Sequence, residues 1–337
     1  MIELQIVWFL LVGALLTVYV VLDGFDLGVG IWHLFARRDD ERRTLLTSVG
    51  PVWDGNEVWL LTAGGALFAA FPPVYAAVFS GLYLPLMLAL FALIARAVSF
   101  EFRGKEDAPG WRKGWDLAFA LGSMIPALLL GVVAGNLLRG LPLDVRGDYA
   151  GGFLELLSPF ALVVGGLGFA LFAQQGAVWV WMKTEGELTD QARGWAFLAW
   201  GVAALLFVVA TIWVLVGLPH LRDNFAAWPL LWALPGSAVV LFVLTGWAVL
   251  ADHPGRSFLF SSLTIVSLMA TFGASVFPDF VRAANDPRLS LTAYNSSSSD
   301  LTLQAMLVIA GLGMPVVVGY TIWVYRKFRG KVRVGHY

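Results

Sequence analysis

The chain has 337 residues and contains no cysteine, only four histidines, and charge on just 13% of its positions. Without cysteine there is no disulfide, no thiolate-held iron–sulfur cluster and no thiolate zinc site. A soluble domain of this length carries charge on about a quarter of its residues, so a soluble fold is excluded as well. The formal net charge of −1 offers no basic surface for nucleic acid. No phosphate-cradling glycine loop and no nucleophile–base pair is visible, which argues against a self-contained ATPase or hydrolase. What fills the chain instead is hydrophobic residue, 59% of the total, in long blocks rather than at the spacing of a half-buried helix or strand. That is the pattern of an all-α polytopic membrane protein.

Nine apolar segments are long enough to span a bilayer, near 5–36, 48–70, 74–101, 115–138, 158–182, 195–218, 228–250, 257–277 and 302–326. The first is expected to stay in place, since its apolar run exceeds that of a signal peptide and lacks basic flanks and a cleavage site. With the N-terminus outside, sixteen of the 22 Lys and Arg residues fall in the inside loops and tail and five fall outside. This asymmetry predicts an external N-terminus and a cytoplasmic C-terminus. The whole chain, 1–337, is read as one integral membrane domain. Helices one to four (near 5–138) and five to eight (near 158–277) are expected to form two four-helix bundles, with the ninth (302–326) peripheral. The connection 278–301, with its serine run, reads as a flexible exposed loop.

Within the first segment, Asp23 and Asp26 stand where a spanning helix should be apolar. A carboxylate near the bilayer centre costs at least about 2.5–3.5 kcal/mol, so intramembrane acids are functional candidates by default. On a helix, Tyr19, Asp23, Asp26, Gly30 and His33 share about 80° of arc, one polar stripe running toward the inside end. Gly24 and Gly28 form a GxxxG pair on another face, where a neighbouring helix can approach closely. The second segment repeats the device with Asp54 and Glu57, three apart and hence on one face, with Asn56 on another and Trp53 and Trp59 flanking. Antiparallel packing of these two helices would bring four carboxyls to similar depth, with Arg96 of the third segment as the counter-charge. Gln174 and Gln175 lie in the fifth segment roughly where the first has its aspartates.

Four acids facing so few cations cannot all ionise, which suits a path for protons reached by water from one side. A cation site and a structural ion-pair network are the competing readings, and a helix-packing device with buried neutral acids is a third. Haem ligation asks for a histidine or methionine at membrane depth. His33 lies at the inner end of helix one, His220 in an outside loop, His253 in an inside loop and His336 in the tail. The methionines Met87, Met124, Met269, Met306 and Met314 read as core filler. The chain is therefore expected to ligate no haem and no metal of its own.

The chain resembles the second subunit of cytochrome bd-type quinol oxidase over essentially its whole length. The matching stretches are DGFDLGVG (23–30), DDERR (39–43), GPVWDGNEVWLLTAGGALFAAFPPVYA (50–76), FEFR (100–103), GNLLRGLP (135–142), FSSLT (260–264) and LSLTAYNSSSSDLTL (289–303). The resemblance implies a complex in the bacterial cytoplasmic membrane with a haem-bearing subunit I, often with a small single-helix subunit. Subunit I would hold two b-type haems and one d-type haem, oxidise quinol and reduce oxygen to water. Protons would come from the inside, giving a proton motive force without pumping. The resemblance assigns Asp23, Asp26 and Asp54 to that proton path. At the position of Glu57 the family accepts glutamine as well. It further implies an oxygen route near the subunit interface, with Trp59 as a candidate lining residue, and a structural quinone in some members. From the polar midplane residues alone, a stand-alone proton- or cation-coupled transporter remains the alternative.

Overall fold

The structure is a computed structural model that describes residues 3–332. Arg333, one of the cations counted inside, and His336 lie outside the described residues. The described chain is almost wholly helical: α1 (Leu4–His33), α2 (Asp39–Val49), α3 (Trp53–Ala70), α4 (Pro72–Gly81), α5 (Tyr83–Phe102), α6 (Pro109–Arg139), α7 (Pro159–Lys183), α8 (Glu187–Gly217), α9 (Asp223–Ala227), α10 (Ala233–Leu250), α11 (Pro254–Val276) and α12 (Asp300–Lys327).

Eight of these, α1, α5, α6, α7, α8, α10, α11 and α12, are long and apolar enough to cross a membrane. The remaining expected span, near 48–70, is α3. It has 18 residues and is a helix, but Asp54, Asn56 and Glu57 fall within its first five positions and dilute its apolar character. Two boundaries differ from the sequence reading. The segment expected at 74–101 is two helices, α4 and α5, separated at Leu82. The chain before α3 folds into α2, whose start is held by the Glu41 carboxylate accepting from the backbone N–H groups of Arg37 (2.7 Å) and Arg38 (3.2 Å). A carboxylate there also complements the helix dipole.

Helix α1 is central and packs against α3, α6, α7 and α11. Glycine makes this possible. A Cβ added at Gly28 would sit 1.9 Å from the Phe172 carbonyl oxygen, and one at Gly176 would sit 2.2 Å from the Gly28 carbonyl carbon. The backbones of α1 and α7 therefore touch, as the GxxxG spacing predicts. Gly24 faces Phe172 and Gly28 faces Gly176, so the two helices run parallel. A second close approach sets the site: a Cβ at Gly122 of α6 would lie 2.8 Å from the Arg96 backbone nitrogen. That contact draws α5 inward and carries Arg96 into the interior.

At the end of the bundle away from the lysine- and arginine-rich loops, the connection 278–301 is folded rather than flexible, which corrects the sequence reading. Strands β1 (Asp279–Val281) and β2 (Leu291–Thr292) pair antiparallel, and Val281, Ala283, Ala293 and Ser296 are buried. Asn285 closes two bonds with Leu143, accepting from its N–H (3.0 Å) and donating to its carbonyl (2.8 Å). Ser298 satisfies the end of α3, its N–H donating to the Ala70 carbonyl (2.8 Å) and its hydroxyl to that of Ala69 (2.7 Å). The serines that read as linker composition are spent on capping and turn bonds.

Candidate functional site

The polar stripe of α1 meets α3, α5 and α12 in a dry cluster. Asp23, Asp26 and Arg96 have no exposed side-chain surface. Arg96 bridges two acids: its Nη2 lies 3.1 Å from Asp23 Oδ1, and its Nη1 donates to Glu57 Oε1 at 2.5 Å. Glu57 is 23% exposed and forms the wet end of the pair. Tyr19 is buried beside Asp23, one helical turn toward the N-terminus. Asp26 takes a different partner, accepting from Asn56 Nδ2 at 2.7 Å. Asn56 also donates to the Leu22 carbonyl (3.3 Å) and accepts from the Tyr325 hydroxyl of α12 (2.9 Å).

Charged groups in so dry a setting are expected to be fully hydrogen-bonded. Here Asp23 has only the Arg96 guanidinium and the neighbouring Tyr19 hydroxyl beside it, and Oδ1 of Asp26 has no hydrogen-bond partner within the chain.

Two sequence expectations change. Asp54 is exposed and does not join the buried acids, so three carboxyls rather than four surround Arg96. The residue of α3 that turns to Asp26 is Asn56, 1% exposed, on the face set aside in the sequence reading. Trp59 is buried between α1 and α3, clustered with Leu15, Tyr19 and Ala63.

His33 belongs to a second buried network nearer the basic end. Its Nε2 lies 2.6 Å from Asp116 Oδ1 of α6, a residue that sequence reasoning missed. Asp116 also binds Arg103 Nε (2.6 Å) and Arg42 Nη1 (3.1 Å), and Arg103 continues to Asp39 (2.6 Å). Asp116 is thus a hub for two arginines and the His33 imidazole, drawn from three parts of the chain. Gln175 of α7 donates to the Val21 carbonyl (3.2 Å) and to Ser262 (3.1 Å), tying α7 and α11 to α1 beside the aspartates, while Gln174 Nε2 has no partner.

Two of the described histidines are already engaged by polar partners. His33 is enclosed and spends Nε2 on Asp116, and His220 spends Nε2 on the Leu138 carbonyl (3.0 Å). Among the described residues, no group of three or more His, Asp or Glu stands together as metal ligands do.

The family whose model matches residues 4–328 is described as cytochrome bd terminal oxidase subunit II. Subunit 2 of the cytochrome bd-I ubiquinol oxidase of Escherichia coli K12 is 40% identical over 360 residues, covering 98% of this chain and 95% of that protein. Subunit 2 of the cytochrome bd ubiquinol oxidase of Bacillus subtilis 168 is 34% identical over 334 residues, covering 98% of each. The fold is that of a chain in the solved bd oxidase of Geobacillus thermodenitrificans, with a TM-score of 0.79 at 20% identity over 96% of this chain and 98% of that one. The chain belongs to the cytochrome bd oxidase subunit II family. It is an integral membrane subunit of a terminal quinol oxidase, in a complex whose haems and subunit I accompany it.

Proposed function

We propose that this subunit conducts protons from the basic, cytoplasmic end of the bundle toward the haems of subunit I. The observation that carries the reading is Arg96, enclosed between Asp23 and Glu57 with Asp26 and Tyr19 adjacent. Three carboxyls around one guanidinium leave an excess of two negative charges if all ionise, so the cluster has the capacity to hold protons. The partly exposed Glu57 receives a proton from the aqueous side, with exposed Asp54 three residues earlier as the collecting group. Arg96 keeps the path anionic yet bound, and Asp23 passes the proton inward with the Tyr19 hydroxyl beside it. Asp26 is held in orientation by Asn56. Trp59 keeps the α3 side of Tyr19 dry, a role that its packing supports better than the lining of an oxygen route.

In this reading the chain crosses the membrane nine times, α3 being the ninth span with its polar first turn at the aqueous edge. The N-terminus is outside and the C-terminus cytoplasmic. The two four-helix units are joined by the α1–α7 contact, and α12 is peripheral. Subunit I supplies two b-type haems and one d-type haem, and oxygen and quinol are substrates of the complex rather than of this chain. The test is quinol-driven oxygen uptake by the purified complex. Asp23→Asn slows turnover at least tenfold with haem content intact, and Asp54→Asn and Glu57→Gln slow it less. Full turnover in Asp23→Asn rules the path out.

A further inference from the structure

A second feature lies outside this path. At the basic end, the turn between α2 and α3, the last turns of α7 and α12 and the chain beyond α12 enclose a cavity of about 400 Å³. Its lining contains Lys183, Lys327, Arg329 and Lys331 and no carboxylate. Ion pairs elsewhere at this end engage Arg38, Arg42, Arg103, Arg112 and Arg193 but, among the described residues, none of these four cations.

Two of the cations, Lys183 and Lys331, are held in place. The Val332 N–H donates to the Lys183 carbonyl (2.8 Å), the Lys331 ammonium to the Thr184 carbonyl (2.7 Å), and the Lys183 ammonium to the Phe328 carbonyl (2.8 Å). The chain after α12 is thereby strapped across the end of α7. Each ammonium has three N–H donors and uses one here, so both keep donors for a ligand. The Lys183 ammonium also stands 4.9 Å from the Trp179 ring centroid. The floor beneath the charges is apolar and aromatic, with Val52, Trp179 and Tyr325. Farther along α12, Val316, Tyr320 and Trp323 are exposed on the helical face that carries Lys327.

We propose that this cavity binds the phosphodiester headgroup of an anionic phospholipid, with its acyl chains running down the exposed face of α12. A cluster of unpaired cations with spare donors fits a phosphate oxygen set. Basic pockets between spanning helices at the membrane edge suit anionic headgroups. A free phosphate would use the cations but leave the aromatic floor and the exposed α12 face without a role, so the lipid is favoured.

The experiment is native mass spectrometry of the intact, delipidated oxidase complex. It is incubated with vesicles of phosphatidylglycerol in phosphatidylcholine, with phosphatidylcholine vesicles alone, or with inorganic phosphate. The wild type retains one more phosphatidylglycerol than a complex carrying Lys183→Gln, Arg329→Gln and Lys331→Gln, and its occupancy is at least tenfold higher at limiting lipid. A complex with Arg37→Gln and Arg38→Gln, cations of the same face outside the cavity, keeps the wild-type count. Equal lipid counts in the triple variant and the wild type overturn the proposal, as does equal loss in the Arg37/Arg38 variant. Displacement of the lipid by millimolar inorganic phosphate overturns it in favour of a free-anion site. If the triple variant does not assemble, a wild-type complex labelled by a photoreactive phosphatidylglycerol headgroup decides. Labelling at 327–332 and at Thr47 is expected, and labelling confined to other sites overturns the proposal.

Discussion

Arg96 is the residue on which the site depends. It has no exposed surface and joins acids from two helices. Removing one partner of a buried ion pair costs about 3–5 kcal/mol, because the remaining charge is left in a dry setting. Arg96→Leu strands Asp23, and the expected outcome is loss of assembled complex, read as haem content per mole of purified subunit. Asp116→Asn takes a carboxylate from His33, Arg103 and Arg42 together. The same reasoning predicts a loss of about 3–5 kcal/mol, measured as a lower thermal midpoint of the complex with the Asp23 site unchanged. The aspartates and Arg96 were legible in the sequence because a charge in an apolar run has no local explanation. Asp116 was not, since it follows Arg112 and Lys113 at a helix start and reads as an ordinary interfacial charge. Asn56 was passed over because helical spacing groups Asp54 with Glu57. The face buried against α1 is instead decided by how α3 rolls, and that roll follows from tertiary packing.

At the scale of elements, the α1–α7 crossing fixes the depth of the aspartates. Gly28→Ala inserts a methyl group where backbone already stands, and overpacking of this kind costs about 1–3 kcal/mol or more. The expected result is a lowered thermal midpoint and weakened turnover together, since Asp23 and Asp26 move with α1. The GxxxG spacing predicted this close contact, but not that α7 would be the partner, which depends on long-range packing. The folded connection 278–301 was not legible, because its serines and asparagines make turn and capping bonds whose acceptors lie far along the chain. Asn285→Ala leaves the Leu143 N–H and carbonyl without partners, at about 1–3 kcal/mol. Limited proteolysis within 279–299 is the measurement, with faster cleavage expected. In the same hairpin, burial raises the Asp279 pKa above the ordinary carboxylate value, opposed by the charges of Arg282 and His220. A carboxyl raised in the folded state stabilises the protein when protonated, and that contribution fades as pH rises through the folded value. Asp279→Asn therefore removes that loss, and its melting temperature is expected to gain on the wild type as pH rises through the folded value.

For the whole molecule, eight long apolar helices and a basic end frame the proposed proton path, and the proposed orientation sets its direction. A cysteine placed at Gly186, in the turn between α7 and α8, is expected to react with a membrane-impermeant maleimide only from the cytoplasmic side. The number of long apolar helices was largely legible from block length. The status of α3 was not, because its polar first turn serves the site and weakens its signal as a span. In the proposed reading the subunit handles protons through its buried carboxyls and guanidinium and subunit I handles electrons, so the two are expected to be separable by mutation. The most direct measurement is proton uptake from the cytoplasmic side during a single turnover, followed with a pH-sensitive dye outside inside-out membrane vesicles holding the oxidase. Asp23→Asn is expected to slow that uptake at least tenfold while haem reduction by quinol keeps its wild-type rate. Wild-type uptake in Asp23→Asn, with haem content unchanged, would contradict a proton path through this subunit.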